Sequence, residues 1–136
     1  MEGKKTEETK LKSSGKIDIT NPSKEGWLEK QSRFLKTWRK RWFVLEGSVL
    51  YSFKKEKVYS NPTEVIDLKV FSSVKSSEEY TNRSHSFDVY SKETSFSMVA
   101  SSSNDKEDWI RNIGRAIITS RSGWQSNDYQ NDSDSD

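Results

Sequence analysis

The chain has 136 residues, of which 30% are hydrophobic and 32% charged, with a formal net charge of +2. That is enough for one domain with a small core and polar ends. The absence of cysteine excludes disulfides and thiolate chemistry and agrees with a reducing compartment. No apolar run approaches the roughly 18 residues of a membrane span, and the N-terminus lacks the apolar core of a signal peptide, so a soluble cytoplasmic protein is expected.

Residues 1–20 mix Lys, Glu, Thr and Ser without periodicity and read as a disordered segment. A folded unit is expected over 21–121. Within it, short alternating segments recur at the spacing of an antiparallel all-β domain: 26–30, 38–45, 49–54, 64–68, 70–75, 85–90 and 95–100. Turn residues separate them, as at Glu46-Gly47-Ser48 and Asn61-Pro62. The period then changes: Trp109, Ile113, Ala116 and Ile117 recur at helical spacing, and Asn104 with Glu107 has the form of a capping box, which predicts a helix over 105–119. Residues 122–136 include GWQSNDYQNDSDSD, with four Asp and no basic residue, and read as a disordered acidic tail. The fold class is therefore mainly β, a seven-stranded bent antiparallel barrel or sandwich capped by one C-terminal α-helix.

The modest net charge hides an uneven distribution. Between Lys24 and Lys57 stand ten basic and four acidic residues, a local balance of 10 − 4 = +6. On the second strand, alternation puts Arg39, Arg41, Phe43 and Leu45 on one face and Trp38, Lys40, Trp42 and Val44 on the other. On the first, Lys30 shares a face with Leu28. If Leu28, Phe43 and Leu45 are core, then Lys30, Arg39 and Arg41 point the same way at the rim. Residues two apart on a strand are roughly 6.6 Å apart, a spacing that suits two phosphates on one small ring. Three converging cations without carboxylates call for solvation or an anion, and the rigid fork of Arg suits phosphate.

The stretch EGWLEKQSRFLKTWRKRWFVLEGSVLYSFKKE, together with DWIRNI in the helix, resembles the pleckstrin homology (PH) domain family over about a hundred residues. The resemblance implies a bent barrel with a ligand pocket at the end opposite the helix, and many members of the family bind phosphoinositide headgroups. In members that bind 3-phosphorylated lipids, a lysine ending the first strand is followed on the second by basic, any, Arg and two apolar residues. Lys30, then Arg39, Lys40, Arg41, Trp42 and Phe43, fit that spacing. On this resemblance Lys30 and Arg41 hold the 3-phosphate region and Arg39 reaches the 5-phosphate side. The strongest trisphosphate binders carry a second tyrosine on the third strand; this chain has Ser52 there, with Lys54 on the same face as a substitute.

Arg83, on the loop before the sixth strand, is a further pocket candidate, and Arg33, Phe34 and Lys36 are candidates for membrane contact. Phe34 and Leu35 either insert among lipids or fold back on the barrel. Trp27, Trp42, Trp109 and Phe43 read as packing residues. The single His85 has no Cys or His neighbour for a metal, and no nucleophile-base pair, glycine-rich phosphate loop or cofactor motif occurs. The resulting expectation is a non-catalytic, cofactor-free monomer that binds phosphoinositides, preferably the 3,4,5-trisphosphate or 3,4-bisphosphate, and is recruited from cytoplasm to plasma membrane. The alternative on the same fold is a protein-interaction or adaptor domain. Nucleic-acid binding is disfavoured, because the basic face turns apolar only toward the core.

Overall fold

In the computed structural model, which describes residues 15–32 and 35–121, the period-two segments form seven strands. These are β1 (Lys24–Gln31), β2 (Trp38–Glu46), β3 (Val49–Phe53), β4 (Glu64–Asp67), β5 (Ser73–Ser76), β6 (Ser86–Tyr90) and β7 (Ser95–Val99). A single-turn helix, α1 (Glu78–Thr81), separates β5 from β6, and α2 (Ser103–Arg121) follows β7. All ladders are antiparallel, in the order β4-β3-β2-β1-β7-β6-β5. Among the described residues no ladder joins β4 to β5, so the sheet is open rather than closed.

The sheet bends because one face of every long strand contributes to a single core. Leu28, Phe43, Leu50, Phe87 and Met98, from β1, β2, β3, β6 and β7, belong to one buried cluster with Trp109, Ile113 and Ile117 of α2. The helix side chains recur at intervals of four, one apolar stripe against the sheet. Between β2 and β3 the two-residue loop Gly47–Ser48 needs a left-handed residue, and Gly47 supplies it at φ +62°.

Three expectations about local structure change. The fifth strand starts at Ser73, not at 70, because Leu68–Val70 forms a 3₁₀ turn. The Asp67 carboxylate caps that turn by accepting from Lys69 N at 3.0 Å, while Leu68 is fully buried. The helix begins at Ser103 and its cap is Ser102, not Asn104: Asp105 N donates to Ser102 Oγ at 3.0 Å, and the Asp105 carboxylate reaches back to Ser101.

The third change concerns residues 15–20, which the sequence groups with the disordered segment. They lie against the outer face of the sheet: Ile17 N donates to Tyr59 O and Asn61 N to Gly15 O, both at 2.8 Å. Ile17 is buried in a second cluster with Trp42, Val44, Tyr51 and Phe53. That cover explains why both faces of β2 are buried from Trp42 to Leu45. Trp27 packs edge-on to Trp42 with ring centroids 5.4 Å apart. Glu25 collects the polar ends of this layer, accepting from Trp42 Nε1 at 3.0 Å and from Tyr59 OH at 2.7 Å. Burial, then the hydrogen bond and charge of Glu25, push the Tyr59 hydroxyl up to about 12.

Charge pairs tie α2 to the sheet. Lys24 reaches Asp105 at 3.0 Å and Asp108 at 2.9 Å. Burial alone would lower the Lys24 ammonium, but these two carboxylates outweigh it and raise it, and Asp108 is correspondingly lowered by its hydrogen bond from Lys24. Lys106 is buried, donating to Ser76 Oγ at 3.0 Å and to Glu78 at 3.2 Å, which joins the helix to β5 and α1.

Candidate ligand site at the mouth of the sheet

The β1–β2 ladder sets the geometry. Lys30 stands directly opposite Arg39 and Leu28 opposite Arg41, so the inward face passes from apolar to cationic on both strands, one inward position deeper on β2 than on β1. Lys30, Arg39 and Arg41 line one cavity of about 440 Å³, floored by Phe43 and bounded by Thr63 and Glu64. A neighbouring cavity of about 350 Å³ shares Lys30, Gln31, Ser32 and Glu64 and is lined further by Lys36, Phe71, Phe96 and the polar residues 94, 95 and 97. None of the lining residues belongs to α2, so the mouth is clear of the helix.

The three cations differ in setting. Lys30 is largely enclosed, with its ammonium 3.2 Å from Glu64 Oε2 and 5.0 Å from the Phe96 ring centroid. Arg41 donates to the Lys40 carbonyl at 3.1 Å, which leaves most of its fork unused, and Arg39 is exposed. Among the described residues no carboxylate lies in ion-pair range of Arg39, Arg41 or Lys36. Like charges directly opposite on neighbouring strands are destabilising, so Lys30 and Arg39 disfavour each other. Glu64, its side chain 45% exposed, offsets part of that. Such a solvent-screened pair is worth at most about 1 kcal/mol.

Other expected site residues lie elsewhere. Ser52, expected to present its hydroxyl at the mouth, is buried, and its Oγ is 2.6 Å from Thr63 Oγ1. Its face is as expected, opposite Phe43, but it lies too deep, and Thr63 reaches the cavity in its place. Lys54 follows the end of β3, is exposed and lines neither cavity. Arg83 is on the outer face: it pairs with Glu29 at 2.8 Å and stacks 4.4 Å from the Trp38 ring. Glu29 alternates with Lys30, so that partnership draws Arg83 away from the mouth. Lys36, expected at the bilayer, is exposed and lines the second cavity. Arg33 and Phe34 fall outside the described residues.

Glu64 was missed as a site residue, although a signal existed. It pairs with Ser52, which pairs with Phe43, so it continues the inward face one strand further.

A bent, open seven-stranded sheet with a C-terminal helix and a cationic mouth between strand ends defines a small β-module of the PH fold. Residues 22–118, more than half of the chain, match the PH domain family, and the chain belongs to it. It is 37% identical over 103 residues to Pleckstrin homology domain-containing protein 1 of Arabidopsis thaliana, covering 73% of this chain and 71% of that protein. To human Rho GTPase-activating protein 24 it is 36% identical over 110 residues, which is 71% of this chain but only 14% of the relative. Among solved structures, the C-terminal PH domain of pleckstrin in complex with D-myo-Ins(1,2,3,4,5)P5 superposes with a TM-score of 0.58 at 23% identity, covering 71% of this chain and 98% of that one.

Proposed function

We propose that the chain is a phosphoinositide-binding module that carries the protein to the cytosolic face of the plasma membrane. Its ligand class is the 3-phosphorylated headgroup, phosphatidylinositol 3,4,5-trisphosphate ahead of the 3,4-bisphosphate. The observation that carries this reading is the meeting of Lys30, Arg39 and Arg41 in one cavity of about 440 Å³, with both arginines free of carboxylate partners among the described residues. The volume falls in the range of small-ligand sites, and Arg forks bind phosphate bidentately. The crystallised pleckstrin domain with its inositol pentakisphosphate supports the same ligand chemistry. On this reading the headgroup fills the mouth, while Lys36 and the flanking loop meet the anionic leaflet, each cation adding about 1 kcal/mol. Recruitment by a scarce lipid, without catalysis, is the output.

The test is competition by soluble inositol phosphates for vesicle binding, run with wild type and Arg41→Ala. The headgroup of the 3,4,5-trisphosphate should compete best, and Arg41→Ala should bind at least 10-fold more weakly, a loss of about 1.4 kcal/mol or more, with thermal stability unchanged. A folded Arg41→Ala protein that binds vesicles like wild type overturns the reading and favours a protein-interaction domain.

A further inference from the structure

We propose that Glu64 is a built-in competitor for the ligand, holding the place of a phosphate at Lys30 until a headgroup displaces it. The inference rests on the reading of the mouth given above. Glu64 is the single carboxylate among the described residues that line either cavity, and it faces four cations, Lys30, Lys36, Arg39 and Arg41. Of these it pairs with Lys30, at 3.2 Å. Lys30 is the more enclosed of the two, its side chain 13% exposed, whereas Glu64 is 45% exposed and has an open route to solvent.

Lys30 and Glu64 line both cavities, together with Gln31 and Ser32, so the pair is part of the wall the two share. A headgroup that engages Lys30 must break this pair and turn the carboxylate outward. Binding at this subsite is thus an exchange of one anion for another. A headgroup without a phosphate at Lys30 leaves the pair intact and gains nothing from that lysine. Glu64 consequently lowers affinity only for the contact it mimics and sharpens the choice among phosphate positions.

A double-mutant cycle tests this, using wild type, Glu64→Gln, Lys30→Met and the double variant. Each is titrated onto phosphatidylcholine vesicles carrying a single phosphoinositide and competed with soluble inositol phosphates. Lys30→Met keeps the packing on Phe96, and Glu79→Gln, an exposed residue of α1, controls for loss of one negative charge. Glu64→Gln should tighten binding about 3- to 5-fold in the Lys30 background, and by less than about 2-fold in the Lys30→Met background. Equal gains in both backgrounds, or a gain matched by Glu79→Gln, would mean diffuse charge and end the proposal. Weaker binding by Glu64→Gln would also end it, since Glu64 would then be accepting a hydrogen bond from the ligand. If wild type binds but Arg41→Ala binds equally well, the mouth itself is misassigned and the competitor role falls with it. If wild type binds, Arg41→Ala does not, and the cycle shows no coupling, the mouth stands and only the role of Glu64 is refuted.

Discussion

Ile17→Ala tests whether residues 15–20 belong to the fold. Ile17 is 6% exposed and covers Trp42, Val44, Tyr51 and Phe53, of which Val44 and Phe53 are wholly buried. Truncating a buried Ile to Ala costs about 2–5 kcal/mol in a rigid core. The segment cannot deliver the upper end of that range. Two backbone hydrogen bonds, from Ile17 to Tyr59 and from Asn61 to Gly15, hold it to the loop before β4, and Thr20 donates to the Glu46 carboxylate through N and Oγ1 at an exposed site, so it can open locally. Detachment limits the loss to what the segment itself contributes, which places the expected cost at about 2 kcal/mol. For a domain of this size that corresponds to a fall in Tm of roughly 10 °C. Urea unfolding followed by circular dichroism measures it, with a lower midpoint and little change in slope. Ile19→Ala, only partly buried, is the comparison and should cost less. A change below about 0.5 kcal/mol for Ile17→Ala would show that the outer face of β2 and β3 is stable without its cover.

Two further outcomes follow from the same contacts. Tyr59 is held near 12 against an ordinary 10, so its neutral form is favoured in the folded state; the associated stability is present below about pH 10 and lost as pH rises toward 12. Tyr59→Phe should flatten the alkaline limb of a pH-stability profile, though Lys24, also raised, keeps some slope above 10.5. Ser102→Ala removes the acceptor for Asp105 N and should cost about 1 kcal/mol by urea unfolding, whereas Asn104→Ala should cost well under half of that.

Strand periodicity made most of the fold legible, because a half-buried sheet must alternate and a one-residue slip would expose Leu28, Phe43 and Leu45 together. The same rule placed Lys30, Arg39 and Arg41 on one face. Alternation specifies a face but not a depth, which is why Ser52 lies on the expected side and is nevertheless sealed beneath Thr63. It is silent on pairings between loops and distant strands. Arg83 is captured by Glu29 and Trp38, 54 residues from the first of these, and no local pattern announces that contact. Ile17 and Ile19 are two apolar positions in a polar stretch, too short to read as a strand, and their burial depends on an outer face of β2 that is apolar as well.

The placement of Glu64 joins the two halves of that lesson. Its inward face follows from register through Ser52 and Phe43, yet its role follows from what the cations across the sheet lack. Lys30 opposite Arg39 is a costly juxtaposition in an unliganded sheet, and a fold selected for stability alone would place a carboxylate against each. Here one carboxylate serves the enclosed lysine, where desolvation makes an unpaired charge expensive, and exposed Arg39 and half-buried Arg41 remain without one among the described residues. Relief is thus supplied to the lysine that water reaches least. On the reading proposed above the two arginines are the groups left open to an anion, and the loss of vesicle binding in Arg41→Ala is what separates that reading from a merely solvated basic rim.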